Sequence, residues 1–414
     1  MRARLGELIV LGIVAGGLLG IVGALVVFAD LLGTPDRVTL GVVVQLGTLL
    51  VVLFTLLTIV VLTLVWLERK QLGRMQGRVG PTRVGPFGLL QPVADALKLL
   101  MKEDVAPRTS SRLLFFVAPV LVFVPGFVVW LTIPFARDVV VRNLDMGLFF
   151  FVAVSVVSIV GLVLAGWSSG SKYAVLGGIR AAAQLISYEI PIIMTVVTVA
   201  MLADSMSFVA VVEAQRTVPY IVIQPLGFLV FFLAGLAEVG RTPFDIYSAE
   251  SELVGGPFVE YSGAHWAIFF LAEYVNTFVV GALAALLFLG GWSWPFGDLP
   301  AAAGVALFLG KTYLVVTVIF WVWATYPRLR IDQLMSLGWK LLIPLSFGVV
   351  VMTAVQLFYG WPRWTLPAMS LAMLAVPVLM QMGMGRRRAL AEARRYAERA
   401  VFVEAQPRPQ RSEG

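Results

Sequence analysis

"VTLGVVVQLGTLLVVLFTLLTIVVLTLVWLERK", Val38–Lys70, carries no charged side chain until Glu68. About twenty apolar residues are enough to cross the hydrocarbon core of a bilayer as a helix, and Val38–Leu67 exceeds that length. The charges arrive together at its end, as Glu68, Arg69 and Lys70, where a span leaves the membrane. The rest of the chain repeats the pattern. Its 414 residues are 59% hydrophobic and 13% charged, and the mean hydropathy is +0.92. Strands of a membrane barrel would need dyad alternation, which is absent here. The sequence therefore predicts an all-α, polytopic transmembrane helix bundle.

Ten spans are expected: Leu8–Phe28, Val38–Leu67, Leu113–Phe135, Met146–Trp167, Ala181–Ala203, Val218–Ala237, Ala264–Leu289, Ala301–Tyr326, Leu341–Tyr359 and Thr365–Met384. With the N-terminus inside, the inward segments collect 25 of the 31 Lys and Arg residues. The outward ones hold Arg37, Arg137, Arg142, Arg216 and Arg363, and Lys311 lies within a span. That asymmetry places both termini in the cytoplasm, and the expected location is the plasma membrane of a bacterial cell. Leu8–Phe28 follows Arg2 and Arg4 as a signal peptide would. Its apolar run is longer than a usual signal core and Ala29-Asp30 is a poor cleavage site, so it is expected to stay as a helix.

Cysteine is absent from the sequence and His265 is its one histidine. Disulfides, iron–sulfur ligation and thiolate metal sites within the chain are thereby excluded, and no metal site is expected. The formal net charge of +7 sits beside apolar runs and reads as topology, not as nucleic-acid binding.

Two segments are neither span nor plain loop. Leu89–Lys102, "LLQPVADALKLLMK", has Pro92 in a first-turn position. It sets Asp95, Lys98 and Lys102 on one face and Val93, Leu97, Leu100 and Met101 on the other. An amphipathic helix lying in the membrane interface is expected. The tail from Arg386 repeats arginine pairs seven residues apart and is expected to form a basic surface helix in contact with lipid or a neighbour, with "PRPQRSEG" disordered beyond it.

Several places carry chemistry. Before the amphipathic helix, "RVGP" occurs at Arg78–Pro81 and again at Arg83–Pro86, which makes a stiff, sharply turning loop. With the charges at Glu68–Lys70 it reads either as a positive-inside anchor or as a polar entrance beside lipid. Arg180, Gln184 and Tyr188 fall at i, i+4 and i+8 on one helix, next to Glu189 and Pro191. Glu189 inside a span is a proton-relay candidate, or else the partner of Arg180 or another base. Glu273 and Lys311 are further ionisable groups within spans. Between Glu238 and Glu260 stand five carboxylates (Glu238, Asp245, Glu250, Glu252 and Glu260) and one base, Arg241. Asp245 taken alone also suits a helix N-cap. His265, at the start of a span, reads as an interfacial hydrogen-bonding residue before it reads as a ligand.

Three long segments together resemble one family: "ERKQLGRMQGRVGPTRVGPFGLLQPVADALKLLMKED", "GWSSGSKYAVLGGIRAAAQLISYEIP" and "RTPFDIYSAESELVGGPFVEYSG". They are similar to signatures of the H subunit of the proton-pumping NADH–quinone oxidoreductase, respiratory complex I. The resemblance runs from about Val38 to Tyr359 and includes "FFLAEY", "GKT" and "RLRIDQLMSLGWKLLIPLS". It implies a subunit that joins the membrane arm to the peripheral arm and forms the entrance of the quinone chamber. By matching motifs, Glu68, Arg69 and Arg74 shape that entrance, with Asp95 nearby. Glu189, Glu238, Asp245, Glu250, Glu252, Glu260 and Glu273 are implied as an acidic path from the quinone site into the membrane arm. Quinone is the implied substrate. NADH, FMN and iron–sulfur clusters are implied in partner subunits, with none of these cofactors held by this chain, and membrane lipid is a further partner.

Three departures accompany the resemblance. Ser248 stands where many members carry another glutamate, the helix Leu8–Phe28 precedes the usual core, and the C-terminus extends beyond it. The implied organisation is an additional helix in residues 1–37, a core in 38–360, a further helix in 361–385 and a basic tail in 386–414. The rivals are a homologous subunit of a membrane-bound hydrogenase or ferredoxin-driven complex, an independent proton-coupled transporter, and a passive anchor. Absent internal repeats speak against the transporter, and ionisable groups inside several spans speak against the anchor. Mass spectrometry of the purified chain is expected to find its N-terminus near Met1; a start near Asp30 would refute the retained first helix.

Overall fold

The computed structural model describes residues 40–375 apart from 296 and 298, and the side chains from residue 47 onward apart from those of 250 and 251. The expected span Leu8–Phe28, the end of the tenth span and the basic tail lie outside the described residues. Among the described residues seven helices are long and apolar enough to cross a membrane. They are α1 (Leu40–Met75), α3 (Arg112–Trp130), α4 (Gly147–Ser168), α5 (Lys172–Ala203), α10 (Gly263–Phe288), α11 (Ala301–Thr325) and the combined run Ile331–Phe358. The last consists of α12 (Ile331–Leu337), a π turn over Gly338–Leu342, and α13 (Ile343–Phe358). Shorter helices are α2 (Gln91–Met101), α6 (Phe208–Ala214), α7 (Tyr220–Ile223), α8 (Pro225–Val239), α9 (Glu250–Leu253) and the apolar α14 (Thr365–Ala375). The fold is an all-helical, polytopic bundle.

The bundle is organised around α10. Of its membrane window 78% is buried, against 39–61% for the other six long helices. Trp130 of α3 stacks on Phe278 of α10 at 4.6 Å, and Phe278 meets Tyr313 of α11 edge-on at 6.3 Å. The apolar part of α1, Gly47–Met75, measures about 44 Å at 1.5 Å per residue, which exceeds the roughly 30 Å of hydrocarbon, so its last turns with Glu68–Arg74 reach beyond the apolar layer.

One expected span is broken. Val218–Ala237 divides into α7 and α8 at Gln224, because a residue preceding proline is pushed out of the helical region and Pro225 offers no N–H. Gln224 ties the break to α13 by donating from Nε2 to Thr353 Oγ1 at 2.8 Å.

The α2 helix begins with Pro92 in its first turn, as its sequence predicts. Its apolar residues Leu97, Leu100 and Met101 are 55%, 63% and 86% exposed, whereas Asp95 turns inward to Arg69. A helix that points its apolar side away from the protein is built to lie on a lipid surface. Before it, the loop folds back onto α1: Arg78 N–H donates to Gly73 O at 2.8 Å, and a Cβ on Gly73 would lie 2.9 Å from Gly80 N. Two backbones meet there with no room for a side chain.

The polar stripe of α5 fastens three separate elements. Arg180 pairs with Glu252 of α9 at 2.6 Å. Gln184 donates both Nε2 hydrogens, to Ala237 O at the end of α8 and to Phe244 O in the following loop, each at 2.8 Å. Tyr188 donates to Leu334 O at 2.9 Å, one turn before the π segment. Gln184→Leu leaves Phe244 O without its side-chain donor, at about 1–3 kcal/mol, and leaves Ala237 O with the Gly240 N–H alone. A clear fall in the thermal unfolding midpoint of the detergent-solubilised chain is expected; an unchanged midpoint would show that the clamp is dispensable.

Candidate functional site

The segment after α8, residues 240–262, returns the chain to α10 and carries most of the clustered acids. Gly256, at φ 58°, lets it turn; a Cβ there would fall 1.7 Å from Tyr247 O. At the head of this segment Arg241 is buried. Its Nε lies 3.0 Å from Glu273 Oε1 and its Nη2 3.6 Å from Glu68 Oε2. The guanidinium is also sandwiched between the rings of Tyr274 and Trp323, each centroid 4.7 Å from Cζ. Tyr274 O–H donates to Glu68 Oε2 at 2.7 Å. Burial works against the charge on Arg241, but the carboxylates of Glu273 and Glu68 more than offset it and hold its pKa well above the ordinary value.

Asp245 is held from two sides. Arg328 Nη2 donates to Oδ2 at 2.8 Å, and Ser248 Oγ donates to Oδ1. It is not a helix N-cap, because α9 begins five residues later with Ala249 in that position. Nearby, burial and the carboxylates of Glu273 and Asp245 push the Tyr247 phenol well above its usual range, so it stays neutral.

Two cavities with Glu238 in common hold most of these acids. The larger, about 460 Å³, is lined by Glu238, Asp245, Tyr247, Ser248, Glu273 and Arg328 among others. The smaller, about 40 Å³, lies deeper and is lined by Ser155, Glu189 and Glu238 among apolar side chains. Ser155 Oγ lies 2.9 Å from Glu189 Oε1. A third cavity, about 550 Å³ and mostly apolar, opens between α1, α2 and α10, with Arg69, Asp95, Lys98 and Lys102 on its wall. Arg69 and Asp95 form an ion pair there, and Gln91 Nε2 also donates to Asp95, at 3.1 Å. Trp266 lines both this cavity and the 460 Å³ one.

The structure thus divides the sequence-expected residues differently from their motifs. Glu68 and Arg69 are adjacent in sequence but point about 100° apart on a helix. Arg69 faces the apolar cavity and Glu68 joins Arg241 and Glu273 in the interior. Arg74 is exposed at the end of α1 and does not line that cavity. Glu252 is exposed and paired with Arg180, and Glu260 is half-buried; neither lines the acid cavities. Glu250 lies in α9, with its side chain outside the described residues. Lys311 donates to Leu289 O at 2.6 Å and Gly291 O at 2.7 Å, completing the far end of α10. His265 pairs with Asp104 beyond α2 and rests on the Phe116 ring at 4.7 Å, an interfacial contact.

Residues 48–354 match the protein family described as NADH dehydrogenase. The H subunit of NADH-quinone oxidoreductase from Dehalococcoides mccartyi (strain CBDB1) is 47% identical over 314 residues, covering 76% of this chain and 87% of that protein. The H subunit from Geobacillus kaustophilus is 52% identical over 289 residues, 70% of this chain and 86% of its own. The chain belongs to this H-subunit family. Another relative of the same name, from Anoxybacillus flavithermus, is 47% identical over 332 residues, 79% of this chain and 98% of its own. All three cavities fall inside the family-matched segment.

Several groups around the acids stand outside the motif-based set: Arg241, Tyr274, Trp323 and Arg328. Tyr274 directly follows Glu273 in "FFLAEY", which is its one signal; nothing in the sequence announces that Trp323 stacks on Arg241. Breaking a buried ion pair costs about 3–5 kcal/mol, because the remaining charge is left uncompensated. Arg241→Ala is therefore expected to remove most of the chain from assembled complexes. Arg241→Lys, which keeps the charge but not the planar stacking, should retain part of it. Equal assembly of wild type and Arg241→Ala on native gels would refute the central role of this residue.

Proposed function

We propose that this member of the H-subunit family admits quinone from the membrane and couples its reduction to proton movement, within a proton-pumping NADH–quinone oxidoreductase. The observation that carries this reading is the pairing of two cavities across Trp266, an apolar one beside a lipid-facing helix and an acid-lined one in the interior. An amphiphile with a long apolar tail suits the first. Its volume of about 550 Å³ lies within the range of small-molecule sites, and its charged rim is the Arg69–Asp95 pair with Lys98 and Lys102. Carboxylates that share a poorly solvated space respond to one another and to any nearby change of charge. Glu68, Glu273, Asp245, Glu238 and Glu189 form such a set, with Arg241 holding Glu68 and Glu273 and Arg328 holding Asp245.

The membrane orientation belongs to the same reading, with both termini cytoplasmic and the 240–262 segment facing the peripheral arm. Partner subunits supply NADH oxidation, FMN and the iron–sulfur clusters, since a chain with no cysteine offers no thiolate for a cluster. The quinone headgroup is reduced at their boundary with this chain. Ser248 takes a local part in the acidic set by donating to Asp245.

Two substitutions in the assembled complex test the two halves. Arg69→Ala is expected to depress quinone reduction while electron transfer from NADH to an artificial acceptor persists. Glu189→Gln should depress quinone-linked turnover and proton translocation together in sealed vesicles. Glu252→Gln, off the cavities and solvent-exposed, should do so far less. Unchanged quinone reduction in Arg69→Ala would refute the entrance, and normal pumping in Glu189→Gln would refute the acidic path.

A further inference from the structure

The two acid-lined cavities can exchange protons only through groups that line both. Among the described residues the polar ones that do so are Ser158 of α4, Glu238 of α8 and Asn276 of α10. Ser158 is committed to its own helix, donating to Ser155 O at 2.8 Å. Glu238 Oε2 is buried, and among the described residues no group donates to it. Asn276 lies three residues beyond Glu273 on α10, hence on the same side of that helix. Its position is permitted from across the bundle: a Cβ on Gly126 of α3 would come within 2.9 Å of Asn276 Oδ1. The inner cavity of about 40 Å³ has room for about three waters, at roughly 10–15 Å³ each, and offers them polar partners.

We infer that Asn276 is a positioning residue, holding the water that links Glu238 to Glu189. The inference rests on the acidic-path reading above and names the group that joins its two halves. A side-chain amide suits the task because it donates from Nδ2 and accepts at Oδ1 but does not titrate in this range. A proton given to the water by one carboxyl group, with release of another from that water to the second carboxylate, leaves both water and amide unchanged. Gly126 belongs to the same device, since only a residue without a side chain leaves the amide in place.

The test uses the assembled complex in sealed vesicles, with assembly checked on native gels. Asn276→Leu keeps the size and removes the donor and acceptor, so quinone-linked proton translocation and turnover should fall about tenfold, the scale of one lost hydrogen bond. Gly126→Ala displaces the amide and should lower the same two quantities. Asn276→Asp keeps a donor–acceptor pair only while the new carboxyl is protonated. Its activity should therefore be substantial at low pH and decline as pH rises through that titration, a profile the leucine variant lacks. Full activity in Asn276→Leu, alongside loss in Glu189→Gln, would overturn the role of Asn276 and leave the path standing. Full activity in Glu189→Gln as well would overturn the path itself. Should the leucine variant fail to assemble, the Asn276→Asp profile decides: a pH dependence matching wild type overturns the inference.

Discussion

A guanidinium buried beside apolar helices is tolerable only if charge and shape are both answered, and Arg241 has each answer from a different element. Glu68 comes from α1, Glu273 and Tyr274 from α10, and Trp323 from α11. Arginine suits the place better than lysine because its planar, weakly hydrated head can stack between two rings while its edges face carboxylates. The arrangement fixes where the end of α1 stands relative to α10, and so fixes the wall that the apolar cavity shares with them. It also starts the 240–262 segment from a rigid point.

The second constraint is the backbone. In a membrane domain every break in a helix leaves polar groups that lipid cannot satisfy. Here a few long polar side chains meet that need. Gln184 covers the carbonyls of Ala237 and Phe244. Gln215 donates to Leu286 O and accepts from the N–H groups of Tyr220 and Gly290. Lys311 closes the carbonyls past the end of α10. Polar residues inside spans thus fall into two groups. Gln184, Gln215 and Lys311 hold irregular backbone in place, while the carboxylates Glu189, Glu238 and Glu273 face cavities.

These two constraints place unlike spaces side by side. The apolar cavity depends on α2 lying against the lipid, latched at one end by Arg69–Asp95 and at the other by Asp104–His265 and by Val105 N–H on Ser262 Oγ at 3.0 Å. The acid cavity depends on the 240–262 segment being pinned by Arg241, Gln184 and the Arg328–Asp245 pair. Trp266, stacked on Phe270 at 5.2 Å, is a large flat side chain between them. Ser248 in this setting completes the hydrogen bonding of Asp245.

Composition and period are enough to settle the class of the fold. Long apolar runs impose membrane helices, and Pro92 with its alternating faces imposes an interfacial helix. The absence of cysteine rules out thiolate-bound clusters. Local rules suffice for these because each depends on neighbours within a turn or a span. Which charges meet is settled in three dimensions. Glu68 and Arg69 are one residue apart yet belong to different sites, since helical rotation sends them to different sides of a packed wall. Arg180, close to Glu189 in motif and helix, instead reaches Glu252, and Glu189 is left facing a cavity with Ser155. The break at Gln224 is written in the following proline, but the side chain that Gln224 is tied to comes from more than a hundred residues away. Ion pairs and cavities are made between elements, and a one-dimensional pattern carries the chemistry of each group without the direction from which its partner arrives.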